Sequence, residues 1–385
     1  MKRVFLIAGE PSGDALGGRL MESIKKRTSN TVTFSGVGGP TMATQGLQSL
    51  FPMSDLSVMG LAEVLPRLPR LISRIRTTAE AIAEQQPSVV VMIDAPDFCF
   101  RVAKKIKATH PTIPIVHLVA PTVWAWRPGR AHRVAQFLDH MLCLLPFEPP
   151  YFEREGLKAT FIGHPVIEGG ADHGDGAAFR RRHHIAEDVP ILAVLPGSRT
   201  GEITRHLPIF RETLGRLIGT HPGLTCVIAT VPHVADRVRT ATQDWPTPVI
   251  LIDGTGDGAS EKYAAFAAAN VALAASGTVS VELALAGCPT VVAYRVNAAT
   301  AFIAKRLIRV KYASLVNLIA DEEIIPEFIQ DTCRPEVLAN AVSDLLINTD
   351  AQTAQKVAFK KAVADLGQGG PPPSDRAADV ICGYL

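Results

Sequence analysis

The sequence predicts an α/β protein built of two Rossmann-like, doubly wound domains that face each other across a cleft. Three observations lead there. Short β-rich runs alternate with helix-period segments through most of the chain, the pattern of parallel sheets covered on both faces. The length of 385 residues is about two domains' worth. A Gly/Asp/His-rich stretch at 169–176, just after Gly163-His164-Pro165, interrupts the alternation near the middle. The predicted layout is therefore a first domain over 1–168, a linker at 169–176 and a second domain over 177–366. A Gly/Pro-rich joint and a final helix occupy 367–385, and that helix can pack back on the first domain.

Composition narrows the function classes. Hydrophobic residues make up 47% and charged residues 20%, an ordinary globular mix. The net charge of +2 argues against nucleic acid held by bulk electrostatics. Six scattered cysteines with no C-x-x-C pair indicate buried thiols, neither a disulfide framework nor a zinc site. The histidines form no tight ligand set, so no metal and no cofactor is expected. The apolar N-terminal run is short and meets Glu10 and Asp14, which suits a first strand better than a signal peptide. No apolar run approaches the ~20 residues of a membrane span. A cytoplasmic protein is expected, one that can still lie against a membrane.

The first half supplies strands at 3–8, 31–35, 88–93, 113–119, 140–145 and 159–162. Ligands in such sheets sit at the carboxyl ends of the strands. Ala8-Gly9-Glu10-Pro11-Ser12-Gly13-Asp14 follows the first strand and opens a helix; it fits simple capping or close ligand approach. Gly36-Val37-Gly38-Gly39-Pro40 lacks the spacing of a dinucleotide fingerprint. In 58–75 (VMGLAEVLPRLPRLISRI), Leu61, Val64, Leu65, Leu68, Leu71, Ile72 and Ile75 fall near helical spacing, with Arg67, Arg70 and Arg74 between them. That mixture suits an anionic membrane surface or an acyl-chain pocket, or an amphipathic helix on the core. Pro66 and Pro69 would break or bend an ordinary helix there. Asp94 ends a strongly buried strand. It has no evident structural task, which makes it a candidate general base; the alternative is a turn aspartate bonding its own backbone. Asp97, after Pro96, is placed as a helix N-cap. Trp124 and Trp126 sit among Arg127, Arg130 and His132, either as a ligand-facing loop or as a packed loop with cation–π pairs.

The second half gives strands at 191–195, 224–230, 249–252, 271–275 and 290–294, then a mainly helical tail. Leu195-Pro196-Gly197-Ser198-Arg199 offers backbone and hydroxyl donors and a cationic fork for a diphosphate, without a Walker lysine. Ser276-Gly277-Thr278 turns a buried strand into a short apolar helix, where bare N–H groups and two hydroxyls meet the positive end of the helix dipole. Were Thr278 the N-cap, the capping-box partner would be Val281. Glu282 would then be free to accept from ribose hydroxyls or to stand as a solvated acid. The basic stripe 305–312 is taken as a solvated helix face, and Asn317 as either a base or phosphate contact or a cap.

Taken together, AGEPSGD, VMGLAEVL, IDAPDF with APTVWAWR, and LPGSR with ASGTVSVELALAGCP resemble one family, the lipid-A-disaccharide synthases, in order and spacing along nearly the whole chain. FIGHP and YASLVNLIA fit the same pattern. The second-half pair is similar to UDP-sugar sites of two-domain GT-B type glycosyltransferases. The resemblance implies transfer of 2,3-diacylglucosamine from UDP to the 6-hydroxyl of 2,3-diacylglucosamine 1-phosphate, releasing UDP, with inversion at the anomeric carbon. It implies Asp94 as base and Gly197, Ser198, Arg199, Ser276, Gly277 and Thr278 as the diphosphate clamp. Glu282 would hold the ribose, and Asn317 would lie on the donor side. Glu10, Ser12, Asp14, Trp124 and Arg127 would lie on the acceptor side. The 58–72 segment would dock on the cytoplasmic face of the inner membrane. A homodimer is left open.

Two rival readings stand beside this one. A UDP-sugar epimerase of related fold needs no lipid surface, which the apolar–arginine segment supplies. A non-catalytic lipid- or nucleotide-binding protein needs no Asp94 alongside Arg199 and Glu282.

Overall fold

The computed structural model describes residues 2–56, 61–256, 258–307 and 310–385, with the side chains of all of these except 61–67, 259, 299 and 303–305. The chain forms two compact units. One is Met1–Pro165 with Gly369–Leu385, the other Val166–Gln368.

The first unit carries a six-stranded sheet of β1 (Arg3–Ala8), β2 (Thr33–Val37), β3 (Val89–Ile93), β4 (Ile115–Leu118), β5 (His140–Cys143) and β6 (Lys158–Phe161). The strand order is β2-β1-β3-β4-β5-β6 and every neighbouring pair is parallel. Parallel strands are covered on both faces, so their sequences are near-continuous apolar runs; β3, VVVMI, is wholly buried. Alternate residues serve opposite layers. Phe5, Ile7, Val90 and Met92 pack with Phe98, Val102 and Ile106 of the helix Pro96–Thr109. Val4, Leu6, Val89 and Val91 pack with Leu16 and Leu20 of the helix Pro11–Arg27 and with Ala377, Ala378 and Ile381 of the helix Pro373–Cys382. Arg27 fastens that last helix through Asp375 (2.9 Å) and Asp379.

The second unit repeats the plan with β7 (Ile191–Leu195), β8 (Thr225–Ala229), β9 (Val249–Ile252), β10 (Val271–Ala274), β11 (Thr290–Tyr294) and β12 (Glu327–Ile329). Its order is β12-β11-β10-β7-β8-β9, again parallel throughout. Strand order reverses at β1/β3 in one sheet and at β7/β10 in the other. These are the topological switch points where ligands bind in such sheets.

Four expectations need correction. The stretch 169–176 holds a 3-10 turn, Ala171–His173, and lies inside the second unit. Three of its glycines, Gly169, Gly174 and Gly176, serve close packing: a Cβ on Gly174 would fall 2.1 Å from the carbonyl oxygen of Tyr263. The helix Leu61–Gln85 runs unbroken through Pro66 and Pro69. Its remainder is anchored by Ile75, Ala79 and Ile82 in the core and by Arg74 over Phe51, and this outweighs the roughly 3 kcal/mol an interior proline costs. Asp97 is no cap; Ala95 holds the N-cap position and Asp97 lies exposed in the first turn. The edge strand β12 was not anticipated.

Candidate functional site

The first-unit candidates gather at the carboxyl end of one sheet because β1, β3 and β4 are neighbours. Ala8 pairs with Ile93, and Ile93 with Leu118, so the loops after these strands leave side by side. A Cβ on Gly9 would meet that of Ala95 at 2.7 Å, so only glycine lets the first loop approach the second. Asp94 is half-buried and its N–H donates to Leu118 O (2.9 Å). Asp94 and Ala95 have φ of 53° and 43°, and Val119 at the end of β4 has 82°. Left-handed backbone costs a β-branched residue most, and such strain collects at functional sites. Burial raises the Asp94 pKa above the usual carboxylate value, against the pull of the Ala95 N–H. Among the described residues no side chain hydrogen-bonds to the Asp94 carboxylate. A poised, half-desolvated carboxylate of this kind suits a general base.

The other first-unit candidates divide. Glu10 is half-buried at the N-cap position and Ser12 is exposed, both beside Asp94's loop. Asp14 has a different task from the one expected: it is buried and accepts from Gly39 N (2.8 Å), Thr41 N (2.8 Å) and Met42 N (3.0 Å). It holds the start of the helix Pro40–Thr44 and has no face for an acceptor sugar. Trp124 is likewise a packing residue, edge-on to Phe147 and donating its indole N–H to Glu148 (3.0 Å). Arg127 is exposed and its guanidinium lies 4.2 Å over the Trp126 ring, one of the alternatives left open.

Glu148 was not singled out by its sequence context. Its carboxylate is buried and accepts from Trp124 and from the N–H groups of Leu144 and Leu145 (3.0 Å each). Burial pushes its pKa up to about 7 despite these donors. With a folded value above the unfolded 4.5, its stabilising contribution is fully present below about 4.5 and is lost as pH rises through about 7. The carboxylate accepts from Trp124 best when ionised. The emission of Trp124 should therefore titrate with a midpoint near 7, and Glu148→Gln should abolish the titration. An emission flat across that range in the unmodified protein would refute the link.

In the second unit, β7 and β10 are paired (Ala274 with Leu195), and Ala275 N donates to Leu195 O (2.8 Å). The Gly197–Arg199 loop and the Ser276–Thr278 turn thus leave adjacent strand ends. Gly197 has φ of 111°, which its loop requires. The scaffold under the loop came from residues the motif did not flag. Buried Glu202 accepts from Ser198 N (3.0 Å) and Arg199 N (3.1 Å) on one oxygen and from the Tyr294 hydroxyl (3.1 Å) on the other. His206 donates from Nδ1 to Pro196 O (2.7 Å) and accepts Arg295 N–H at Nε2 (3.0 Å), which fixes the neutral tautomer. A glutamate three residues into a helix was the available signal for Glu202. Arg199 itself is 71% exposed and only 3.7 Å from Glu202, a weak surface pair that leaves the guanidinium available.

Two donor-side expectations change. Thr278 is the N-cap of the helix Val279–Leu285, but Glu282 is not unpartnered: its Oε1 accepts from Lys262 Nζ (2.8 Å) and the Tyr263 hydroxyl (3.1 Å). Asn317 is fully buried with its amide consumed internally. It donates to Ile325 O and Glu327 (2.8 Å each) and accepts from Ile324 N (2.9 Å) and Ile325 N (2.8 Å). With both amide donors and both acceptor sites used, it offers no free polar group to a nucleotide. It acts from behind, since Glu327 also accepts from Ala313 N (2.6 Å), and Ala313 O accepts from the Ser276 hydroxyl (2.7 Å).

Of the apolar–arginine segment, residues 57–60 and the side chains of Leu61, Val64, Leu65 and Arg67 lie outside the described residues. Leu68 and Ile72 are exposed at 41% and 57%, and Leu71 is half-buried. Arg70 is exposed, 3.4 Å from Asp55. Among the described residues no helix is long and apolar enough to cross a membrane, and no three His, Cys, Asp or Glu side chains cluster as metal ligands.

Comparison with known proteins adds the following. The family described as Lipid-A-disaccharide synthetase matches residues 4–372. A lipid-A-disaccharide synthase of Rhodospirillum centenum is 54% identical over 382 residues, 99% of this chain and 94% of that protein. One from Paramagnetospirillum magneticum is 48% identical over 384 residues, 99% and 97% of the two chains. Among solved structures, a UDP-GlcNAc 2-epimerase from Neisseria meningitidis bound to UDP-GlcNAc superposes with a TM-score of 0.63 at 12% identity, covering 100% of this chain and 99% of that one. The calicheamicin glycosyltransferase CalG4 gives 0.60 at 17%, covering 100% and 98%. At such identities the structural likeness shows the two-domain GT-B type α/β fold alone.

Proposed function

The chain belongs to the lipid-A-disaccharide synthetase family, a glycosyltransferase of lipid A biosynthesis, and from that premise we propose that it moves 2,3-diacylglucosamine from UDP to the 6-hydroxyl of 2,3-diacylglucosamine 1-phosphate with inversion. The observation that carries the reading is Asp94, a strained, half-buried carboxylate with no side-chain hydrogen-bond partner among the described residues. One in-line displacement turns an α-linked donor into a β-linked product. It needs a base on the acceptor hydroxyl and stabilisation of the departing diphosphate. Asp94 takes the hydroxyl proton as its oxygen attacks the anomeric carbon and the bond to UDP breaks. Arg199, with the Gly197-Ser198 and Ser276–Thr278 donors, carries the charge that develops on the leaving group. Glu282, oriented by Lys262 and Tyr263, takes the ribose hydroxyls on its second oxygen. Exposed Leu68 and Ile72, with Arg70 between them, seat the protein on the inner membrane, where both lipid substrates reside.

The test is direct. Purified protein given both lipids should release UDP and form the disaccharide 1-phosphate. Interconversion of the C2 epimers of UDP-GlcNAc, or lipid binding with no UDP released, would overturn the assignment. Arg199→Ala should weaken UDP binding roughly 10- to 100-fold in calorimetry, the range expected for a charge-assisted contact. An unchanged affinity would remove Arg199 from the clamp.

A further inference from the structure

We propose that Phe302, Arg306 and Leu307 of the helix Ala298–Leu307, with Lys311 after it, form a second contact with an anionic lipid surface, carried by the second unit and separate from the 58–72 segment of the first. The stripe 305–312 looks like a solvated helix face in sequence, and the structure adds what that reading lacks. Phe302 is 61% exposed and Leu307 48% exposed on a ten-residue helix. The guanidinium of Arg306, one turn on, lies 3.5 Å over the Phe302 ring. An apolar ring and a cation are thus presented together at the surface, the pairing that enters the headgroup boundary of a bilayer.

Charge singles out the occupant. Between Glu282 and Asp321 the sequence has no acidic residue, while Arg295, Lys305, Arg306, Arg309 and Lys311 all fall in that interval; the side chain of Lys305 and residues 308–309 lie outside the described residues. A helix face that is merely solvated mixes both signs. Among the described residues the stripe's paired acid is Asp321, 78% exposed and 3.3 Å from Lys311, a pair too wet to neutralise it, and Glu322 and Glu323 after it are exposed as well. A two-fold contact between copies would set this basic patch against itself, which is unfavourable. A polyanion without an apolar phase would leave Phe302 and Leu307 in water. A surface of anionic phosphates over acyl chains satisfies both. The contact draws on the proposed function only in that the substrates are lipids; it does not depend on Leu68 or Ile72.

The experiment measures partition of the full chain onto phosphatidylethanolamine vesicles with and without phosphatidylglycerol, beside thermal melting and light-scattering mass. Binding should require phosphatidylglycerol and weaken with salt. Phe302→Ser with Leu307→Ser should lower partition about tenfold or more, from the apolar area no longer buried. Arg306→Gln with Lys311→Gln should lower it about fivefold per charge. All four residues are exposed, so melting should stay near wild type. If the serine pair does not fold, the glutamine pair carries the test. Leu68→Ser with Ile72→Ser provides the comparison. Loss there with none in the Phe302 pair overturns this inference and leaves the proposed function standing. Loss in the Phe302 pair alone supports the inference and withdraws the first-unit contact. Absence of wild-type binding overturns both contacts. A change of mass with unchanged partition makes the face a contact between copies and overturns the lipid assignment.

Discussion

Asp94→Asn is expected to lower turnover by about 10²- to 10⁴-fold, the usual loss when a positioned base is removed, while UDP affinity stays near wild type. The substitution is suited to the site. Asparagine tolerates left-handed backbone nearly as well as aspartate, so the φ of 53° brings no new strain. No side chain among the described residues hydrogen-bonds to the carboxylate, so little structure should follow it. Because burial raises the pKa above 3.8, the acid limb of kcat/KM should lie above that value in the unmodified enzyme. It should vanish with the activity in the variant. Turnover at the wild-type rate would take Asp94 out of the base role. Asp94→Ala is the poorer probe, since alanine adds backbone strain to the chemical loss.

Asn317→Ala should destabilise the second unit by roughly 3–5 kcal/mol, since each buried group left without a partner costs ~1–3 kcal/mol. The groups stranded are Ile325 N and Ile325 O; Ile324 N keeps Glu322 O (3.1 Å) and the Glu327 oxygen keeps Ser314 N (2.8 Å). The melting temperature should fall by about 6–20 °C for a unit of this size. UDP binding should weaken as well, through Glu327, Ala313 and the Ser276 hydroxyl. A residue touching the nucleotide directly would behave otherwise, with affinity lost at unchanged melting temperature. That second outcome, seen by calorimetry beside a thermal scan, would restore Asn317 to the ligand shell.

The chain advertises its strands far better than its polar networks. The strands β3, β7 and β10 are unbroken apolar runs, and β1 and β11 nearly so, because both faces are covered, and the strand-end rule then placed Asp94, Arg199 and Ser276 at the switch points. The tasks of Asp14, Glu282 and Asn317 were not legible. Their partners come from Gly39–Met42, from Lys262 and Tyr263, and from the backbone of Ile324 and Ile325 with the Glu327 side chain, positions that no local period connects. The strand β12 escaped for another reason: Glu-Phe-Ile is three half-buried residues at a sheet edge, too short for any pattern. The glycines at 169–176 were misread because a backbone that must be flexible and one that must pass close to another share the same composition.

The segment Gly369–Leu385 completes the first unit, yet it is translated only after the whole of Val166–Gln368. Ala377, Ala378 and Ile381 cover one layer of the β1–β3 region. On the ribosome, that layer stays uncovered for the roughly 10–40 s that synthesis of the intervening stretch takes at ~5–20 residues per second. A released chain ending at residue 368 would therefore display a greasy amino-terminal half joined to a sound carboxy-terminal one, an invitation to chaperones that full synthesis withdraws.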